Sequence, residues 1–547
     1  MLMTTAKGAA ERVATLTVAQ VIVQALQKAG IKYVFGLPGG ETVELLDELR
    51  LAGIEFVLVH NESSAIFMAD TYARLTDTVG VCLTTLGPGA TNATVGLAHA
   101  YLDRAPVILI TAQKPDPLLP DYTHQVIDLH GVFRPITKAT IKVNAHNAAT
   151  AIQEALVLAR QGRPGPIHLQ LSNEDAAQPA IDSEVKAIPE PKLPAQTPAP
   201  IARAVELFTK ARRPLILAGV GLEPQRPYEL LRELAEQAHA PVVVTPKGKG
   251  ALADDHPLAA GVIGLMRNDP AYEIVDEADC ILAVGFDVVE LVRPWKSDAK
   301  LIWLAQWENV DPIVPHEVSI VGDMRAPLQQ LIDAAYDPDP AWGEARVERF
   351  RKSLIKPLPE AADGLLLPQQ VLSCLRKALP RATALSVDVG SHKILSSLEW
   401  PTLSPNSFFL SNGLSSMGFA LPSAIGAYFA APDQPIVCLT GDAGMSMVMG
   451  ELGVVAQRQI PLLIVVLNDG AIDLIRAQQV RAGKPVYGTT FDSPNFSQIA
   501  TAYGLPAARV SNIEQLEKEI DTFNSGRNPR VIEVMIDPIS YPTTPRP

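Results

Sequence analysis

The chain has 547 residues, 47% of them hydrophobic and 19% charged, with a formal net charge of -13. That length exceeds one ordinary core and calls for two to four domains. The acidic balance argues against nucleic acid, which needs clustered Lys and Arg, and no apolar run approaches the ~20 residues that cross a bilayer.

Met1 to Thr15 lack the apolar centre of a secretory signal, so the expectation is a cytoplasmic protein with no membrane partner. From Val18 to Ala29 the apolar spacing predicts a helix that ends at Gly30, followed by the strand Tyr33-Val34-Phe35-Gly36. Phe56 to Val59 reads as a strand, Ser63 to Leu75 as a helix, and Val79 to Thr84 and Pro106 to Thr111 as two more strands. Residues 177–200 are dense in proline, which excludes helix interiors and central strands and predicts an extended linker. Beyond it, Pro214 to Gly219, Pro241 to Val244 and Cys280 to Gly285 are further strands. A second break, residues 336–367, carries Lys356-Pro357-Leu358-Pro359, with a short amphipathic helix expected over Gly343 to Leu354. The last segment has strands at Ala384 to Asp388, Pro435 to Thr440 and Pro461 to Val466.

Strand–helix alternation predicts an α/β protein of three doubly wound parallel-sheet domains, over residues 1–176, 201–335 and 368–547. The first and last domains read as structural cousins. The 4 Cys (Cys82, Cys280, Cys374, Cys438) are scattered with no Cys-x-x-Cys pair, which predicts buried thiols.

Two motifs carry the strongest chemical signal. Gly441-Asp442-Ala443-Gly444 and Leu467-Asn468-Asp469-Gly470 each follow an apolar strand. Two parallel strands deliver both carboxylates to one sheet edge, where open α/β sheets bind ligands. Paired carboxylates flanked by glycine suit Mg²⁺ that also touches a diphosphate. In the first domain, His60-Asn61-Glu62-Ser63-Ser64-Ala65 places a carboxylate where a strand gives way to a helix. Read alone, Glu62 is a first-turn acid favoured by the helix dipole. Two glycine turns accompany it, Gly36-Leu37-Pro38-Gly39-Gly40 and Gly87-Pro88-Gly89-Ala90-Thr91-Asn92, as where backbone must approach a flat ring.

These segments resemble the pyrimidine-binding domain of thiamine diphosphate enzymes of the acetolactate synthase group. Arg163-Pro164-Gly165-Pro166-Ile167-His168-Leu169 resembles that group's end-of-domain pattern. Ser411-Asn412-Gly413-Leu414-Ser415-Ser416-Met417-Gly418 and the two aspartate motifs resemble its diphosphate-binding domain. The resemblance implies that Glu62 is the proton-relay acid against the aminopyrimidine ring, with Pro38, Gly39 and Asn92 beside the cofactor. It implies that Met417 supports a bent cofactor and that the Ser415 carbonyl accepts from the aminopyrimidine amine. Asp442, Asp469 and the Ala471 carbonyl would hold Mg²⁺. Ala443, Gly444 and Ile472 would offer N–H groups to phosphate, and His392 and Lys393 are candidate phosphate contacts.

Ala443 and Asp469 depart from the Gly-Asp-Gly and Asn-Asn pattern of many members of the superfamily. Ala443 must keep φ negative near a phosphate. Asp469 adds a charge beside the metal, as in the catabolic, flavin-free acetolactate synthases. His124-Gln125 and Gly285-Phe286-Asp287-Val288-Val289-Glu290 also resemble that branch, so FAD is not expected, although Gly219-Val220-Gly221 is a turn that could cradle a nucleotide. Arg267 and Lys247 read as surface charges or carboxylate binders. The implied reaction decarboxylates pyruvate or another 2-oxoacid and adds the remaining two-carbon unit to a second carbonyl, with Gln125 and His124 orienting the acceptor. The alternatives are a 2-oxoacid decarboxylase, an aldehyde or acyloin lyase, a dione hydrolase, or a non-catalytic scaffold. The pocket near Ser411, Asn412, Ile475 and Gln478 is expected to decide among the enzymes. A homodimer or homotetramer with active sites at the subunit interface is implied.

Overall fold

The computed structural model describes residues 15–121, 123–293 and 295–542. They form three parallel six-stranded sheets with helices on their faces. The first sheet contains β1 (Tyr33–Leu37), β2 (Glu55–Leu58), β3 (Gly80–Thr84), β4 (Val107–Ala112), β5 (Ala139–Lys142) and β6 (Ile167–Leu171), in the order β2-β1-β3-β4-β6-β5. The second contains β7 (Pro214–Ala218), β8 (Val242–Val244), β9 (Ala259–Val262), β10 (Cys280–Val284), β11 (Lys300–Ala305) and β12 (Val318–Val321), in the order β12-β11-β10-β7-β8-β9. The third contains β13 (Ala384–Val387), β14 (Phe408–Phe409), β15 (Ile436–Gly441), β16 (Leu462–Asn468), β17 (Ala507–Val510) and β18 (Arg530–Met535), in the order β14-β13-β15-β16-β18-β17. Counted within each domain, the first and third orders are identical, so the two outer domains share one topology. The four cysteines are free and buried.

The continuous apolar runs become central strands because both their faces are covered. β3, β4, β10 and β16 are buried throughout. Pairing of Gly441 with Leu467 brings the ends of β15 and β16 level, which puts Asp442 and Asp469 at one edge.

One core joins the outer domains. The helix Glu62–Thr76 is buried on almost every side, between its own sheet and the helix Ala420–Ala430. Small residues permit this approach. A Cβ on Gly426 would lie 2.2 Å from the Met68 carbonyl oxygen, so only glycine fits. Thr71 and Ser423 share a hydroxyl hydrogen bond at 2.8 Å, and the Phe67 and Phe419 rings meet edge to face at 5.4 Å.

The proline-rich stretch after Gln178 has no helix until Pro198, where the helix Pro198–Thr209 begins inside the expected linker. Pro198 and Pro200 sit in its first turn, where no intrahelical N–H is needed. The stretch is bound to the first domain, with the Ala180 N–H donating to the Leu16 carbonyl at 2.8 Å. Within the second break, Gly343–Leu354 forms the expected helix.

Candidate active site

The third domain opens a cleft at the carboxyl ends of β13, β15 and β16. Gly390, His392, Ser415, Met417, Asp442, Ala443, Gly444, Asp469, Ala471 and Ile472 are among the residues that line it. Asp442 Oδ2 accepts the Gly470 N–H at 2.8 Å and the Ser493 hydroxyl at 2.7 Å. Burial raises its pKa, against those donors. Asp469 is pushed up to about 8, first by burial and then by the Asp442 and Asp473 carboxylates. Asp442 and Asp469 thus crowd one edge, with Asp473 beside them paired to Arg476, an environment a divalent cation relieves. Among the described residues no cluster of three or more His, Cys, Asp or Glu forms a closed metal cage. That suits Mg²⁺, which is held by one or two carboxylates and completed by carbonyl, water and phosphate oxygens.

His392 leaves a polar atom in the cleft wall for a ligand to meet. Its Nε2 is buried without a partner, and burial lowers its pKa to about 4, so the ring is neutral at pH 7. A Cβ on Gly441 would lie 2.9 Å from the His392 ring, and one on Gly444 would lie 2.3 Å from Asp388 Oδ2. Glycine at both positions lets the backbone wrap these side chains. Ala443 lies within the helix Asp442–Val448 and is not among the residues with positive φ, as its extra methyl requires.

Two expected phosphate contacts point elsewhere. The Ile472 N–H already donates to the Thr489 carbonyl at 2.8 Å, because the chain after Gly488 folds back beside it. Lys393 does not line the cleft. Its buried ammonium donates to the Ser411 carbonyl at 3.2 Å and to Ser415 Oγ at 3.1 Å, so it holds the loop that carries Ser415. Burial pushes this lysine down to about 8. Ser415 itself has φ +54°, a left-handed conformation uncommon outside glycine.

A second group of expected site residues lies on the first domain. Asn61 caps the helix Glu62–Thr76 by accepting the Ser63 N–H at 2.9 Å, which fixes Glu62 at the first helical position. Glu62 is 3% exposed, and the Asn92 amide donates to its Oε2 at 3.1 Å. A Cβ on Gly89 would sit 3.2 Å from Glu62 Oε1, and one on Gly39, next to Pro38, would sit 2.3 Å from Thr85 Oγ1. Gln125, at φ +61°, packs over Gly87, and His124 beside it is exposed. Pro38, Gly39, Glu62, Asn92 and Gln125 therefore belong to one surface of the first domain. None of the residues lining the Asp442 cleft comes from that domain.

Other expectations are corrected. Lys247 is not a surface charge. Its side chain is buried and lies 3.2 Å from Asp103 Oδ2. The Ser411 and Asn412 side chains are buried and engaged with the first and central domains. Ser411 Oγ bonds His99 at 2.9 Å, and the Asn412 amide donates to the Glu290 carbonyl at 3.3 Å. Ile475 does line the cleft, whereas Gln478 is exposed away from it.

Family models for the N-terminal TPP binding domain, the central domain and the C-terminal TPP binding domain of thiamine pyrophosphate enzymes match residues 16–132, 201–331 and 388–534. A probable acetolactate synthase large subunit from Methanocaldococcus jannaschii is 32% identical over 556 residues, covering 95% of this chain and 92% of that protein. The acetolactate synthase isozyme 2 large subunit of Escherichia coli is 31% identical over 550 residues, covering 96% and 97%. The chain belongs to the acetolactate synthase-like family of thiamine diphosphate enzymes. The buried Glu62 and the Asp442 cleft lie on different domains of the chain.

Sequence reasoning passed over the residues that support these groups. Asp388 is fully buried, and its carboxylate accepts from Thr440 Oγ1 at 2.8 Å and from the Gly418 and Phe419 N–H groups. It ties three loops of the cleft together, and burial raises it to about 6. Asp473 accepts from Ser391 at 2.8 Å, and Ser493 reaches Asp442 from a distant loop. An acid directly after β13 was the one visible signal for Asp388.

Proposed function

We propose that this protein is a Mg²⁺- and thiamine diphosphate-dependent carboligase. It decarboxylates pyruvate, or a closely related 2-oxoacid, and joins the remaining two-carbon unit to a second carbonyl, giving 2-acetolactate when both substrates are pyruvate. When bound, thiamine diphosphate supplies the carbon nucleophile and the electron sink for decarboxylation. The observation that carries this reading is the mutually repelling Asp442–Asp469 pair in a cleft that also holds the unpartnered His392 Nε2.

In this reading Asp442, Asp469 and the Ala471 carbonyl hold the metal. His392, with Ala443 and Gly444, faces the diphosphate. Met417 and the strained Ser415 shape the floor under the ring system. Glu62, dry and tied to Asn92, exchanges a proton with the aminopyrimidine nitrogen. Gln125, packed over Gly87, and the exposed His124 beside it would orient the acceptor. Because one chain keeps its two half-sites apart, the Glu62 surface of one copy meets the Asp442 cleft of another, in a homodimer or a homotetramer built from such dimers.

The test is product analysis with pyruvate as sole substrate, in the presence of Mg²⁺ and thiamine diphosphate. Acetolactate with one CO₂ released per two pyruvates is expected. Acetaldehyde as the main product would assign the chain to decarboxylases instead.

A further inference from the structure

The middle sheet reverses its strand order between β7 and β10. In doubly wound sheets a nucleotide lies at that switch point, outside the carboxyl ends of the two strands, with its phosphates on the main-chain donors of the glycine turn. Here the turn after β7 is Gly219-Val220-Gly221, and the turn after β10 begins at Gly285.

This crevice is filled from within. Glu290 is 1% exposed. Its Oε2 accepts the Val220 N–H at 2.9 Å, and its Oε1 accepts the Lys247 N–H at 3.1 Å. The Thr245 hydroxyl is a further partner. The two turns also touch directly, with the Gly221 N–H donating to the Gly285 carbonyl at 2.6 Å. A Cβ on Gly219 would lie 2.9 Å from Glu290 Oε2, and one on Gly221 would lie 2.9 Å from the Trp307 ring. The main-chain donors that a phosphate would take at this turn are already used.

We infer that Glu290 stands in for a nucleotide phosphate, so that the central domain closes its own switch-point crevice and takes neither FAD nor an adenine nucleotide there. The closed crevice has a structural use. The Glu290 carbonyl accepts from the Asn412 amide, and Lys247 pairs with Asp103, whose Oδ2 accepts the Asn412 N–H at 3.1 Å. The same segment therefore ties the central domain to the loop carrying Ser415 and Met417.

The experiment titrates the purified protein, with Mg²⁺ and thiamine diphosphate present, with FAD and separately with ADP. Flavin fluorescence and the unfolding midpoint are followed. The wild-type protein is expected to show no saturable binding of either probe up to about 1 mM, the affinity scale of non-specific contact. Glu290→Gly removes the plug and frees two main-chain donors, so FAD or ADP is expected to bind at least about tenfold more tightly than to wild type. If the glycine variant does not fold, Glu290→Ser frees the same donors. Stoichiometric flavin in the purified wild-type protein would overturn the inference, as would saturable binding of FAD or ADP to it. A folded Glu290→Gly or Glu290→Ser protein with unchanged affinity would overturn it too. Acetolactate formation by the same samples reports separately on the proposed reaction.

Discussion

Asp469→Asn removes one negative charge from the crowded edge formed by Asp442, Asp469 and Asp473. Without metal, burial and the neighbouring acids raise the Asp469 pKa from 3.8 to about 8. A carboxyl whose pKa is raised on folding binds its proton more tightly when folded. The metal-free protein is therefore favoured at low pH, and loses that stability as pH rises from about 4 to about 8. At pH 7, about three units above the ordinary carboxyl value of 3.8, and at about 1.36 kcal/mol per unit, the cost is at most about 4 kcal/mol. Solvent at the open side of the cleft screens this to about 2 kcal/mol. Asparagine removes the cost. The metal-free variant should unfold a few degrees above wild type at about pH 8 and match it near pH 4. Mg²⁺ with thiamine diphosphate should reverse the order, because a cation gains most where two carboxylates repel. Scanning calorimetry at the two pH values, with and without metal and cofactor, measures both effects. A variant less stable than wild type at pH 8 without metal would refute this reasoning, as would an equal Mg²⁺ shift in both proteins.

Glu62→Gln should lower turnover of pyruvate by about 10²–10⁴-fold, the usual scale for a proton-transfer group. Its unfolding midpoint should stay close to wild type, since the amide still accepts from Asn92. Gly426→Ala places a methyl against the Met68 carbonyl and should destabilise the join between the outer domains by about 1–3 kcal/mol, visible as a lower midpoint in calorimetry. His392 and His168 are held down by burial to about 4 and about 3. Each should show no protonation step between about pH 5 and 8 in histidine NMR, and the stability they favour should be lost as pH falls from about 6.5 through those values.

The three sheets were legible because their central strands are long apolar runs bounded by glycine or proline. Of the strands passed over, β6, β11 and β18 are buried interior strands, and others are short, polar or at the margins. β14 has two residues, β5 is half-buried along its length, and β17 alternates little. Their pairing is set by neighbours rather than by their own pattern. At the site, Asp442 and Asp469 stood out as paired acids at two strand ends, and Glu62 only once the flanking motifs were read with it. Lys393 and Ile472 were placed on the phosphate by position in a motif, but local partners decide where an ammonium or an N–H points. Glu290 and Asp103 were illegible as supports, since their donors come from segments far away in sequence. Lys247 likewise reads as a surface charge until Asp103, from another domain, is brought beside it.

The central claim is that Glu62 and the Asp442–Asp469 pair act on one cofactor from different chains. Subunit mixing tests it most directly. Glu62→Gln chains and Asp442→Asn chains, each inactive alone, are co-expressed in equal amounts and assayed with pyruvate. If the halves are shared across the interface, mixed dimers regain one intact site each, and random pairing predicts about a quarter of wild-type activity. Activity no higher than either parent, in a preparation shown to contain mixed dimers, would contradict the account.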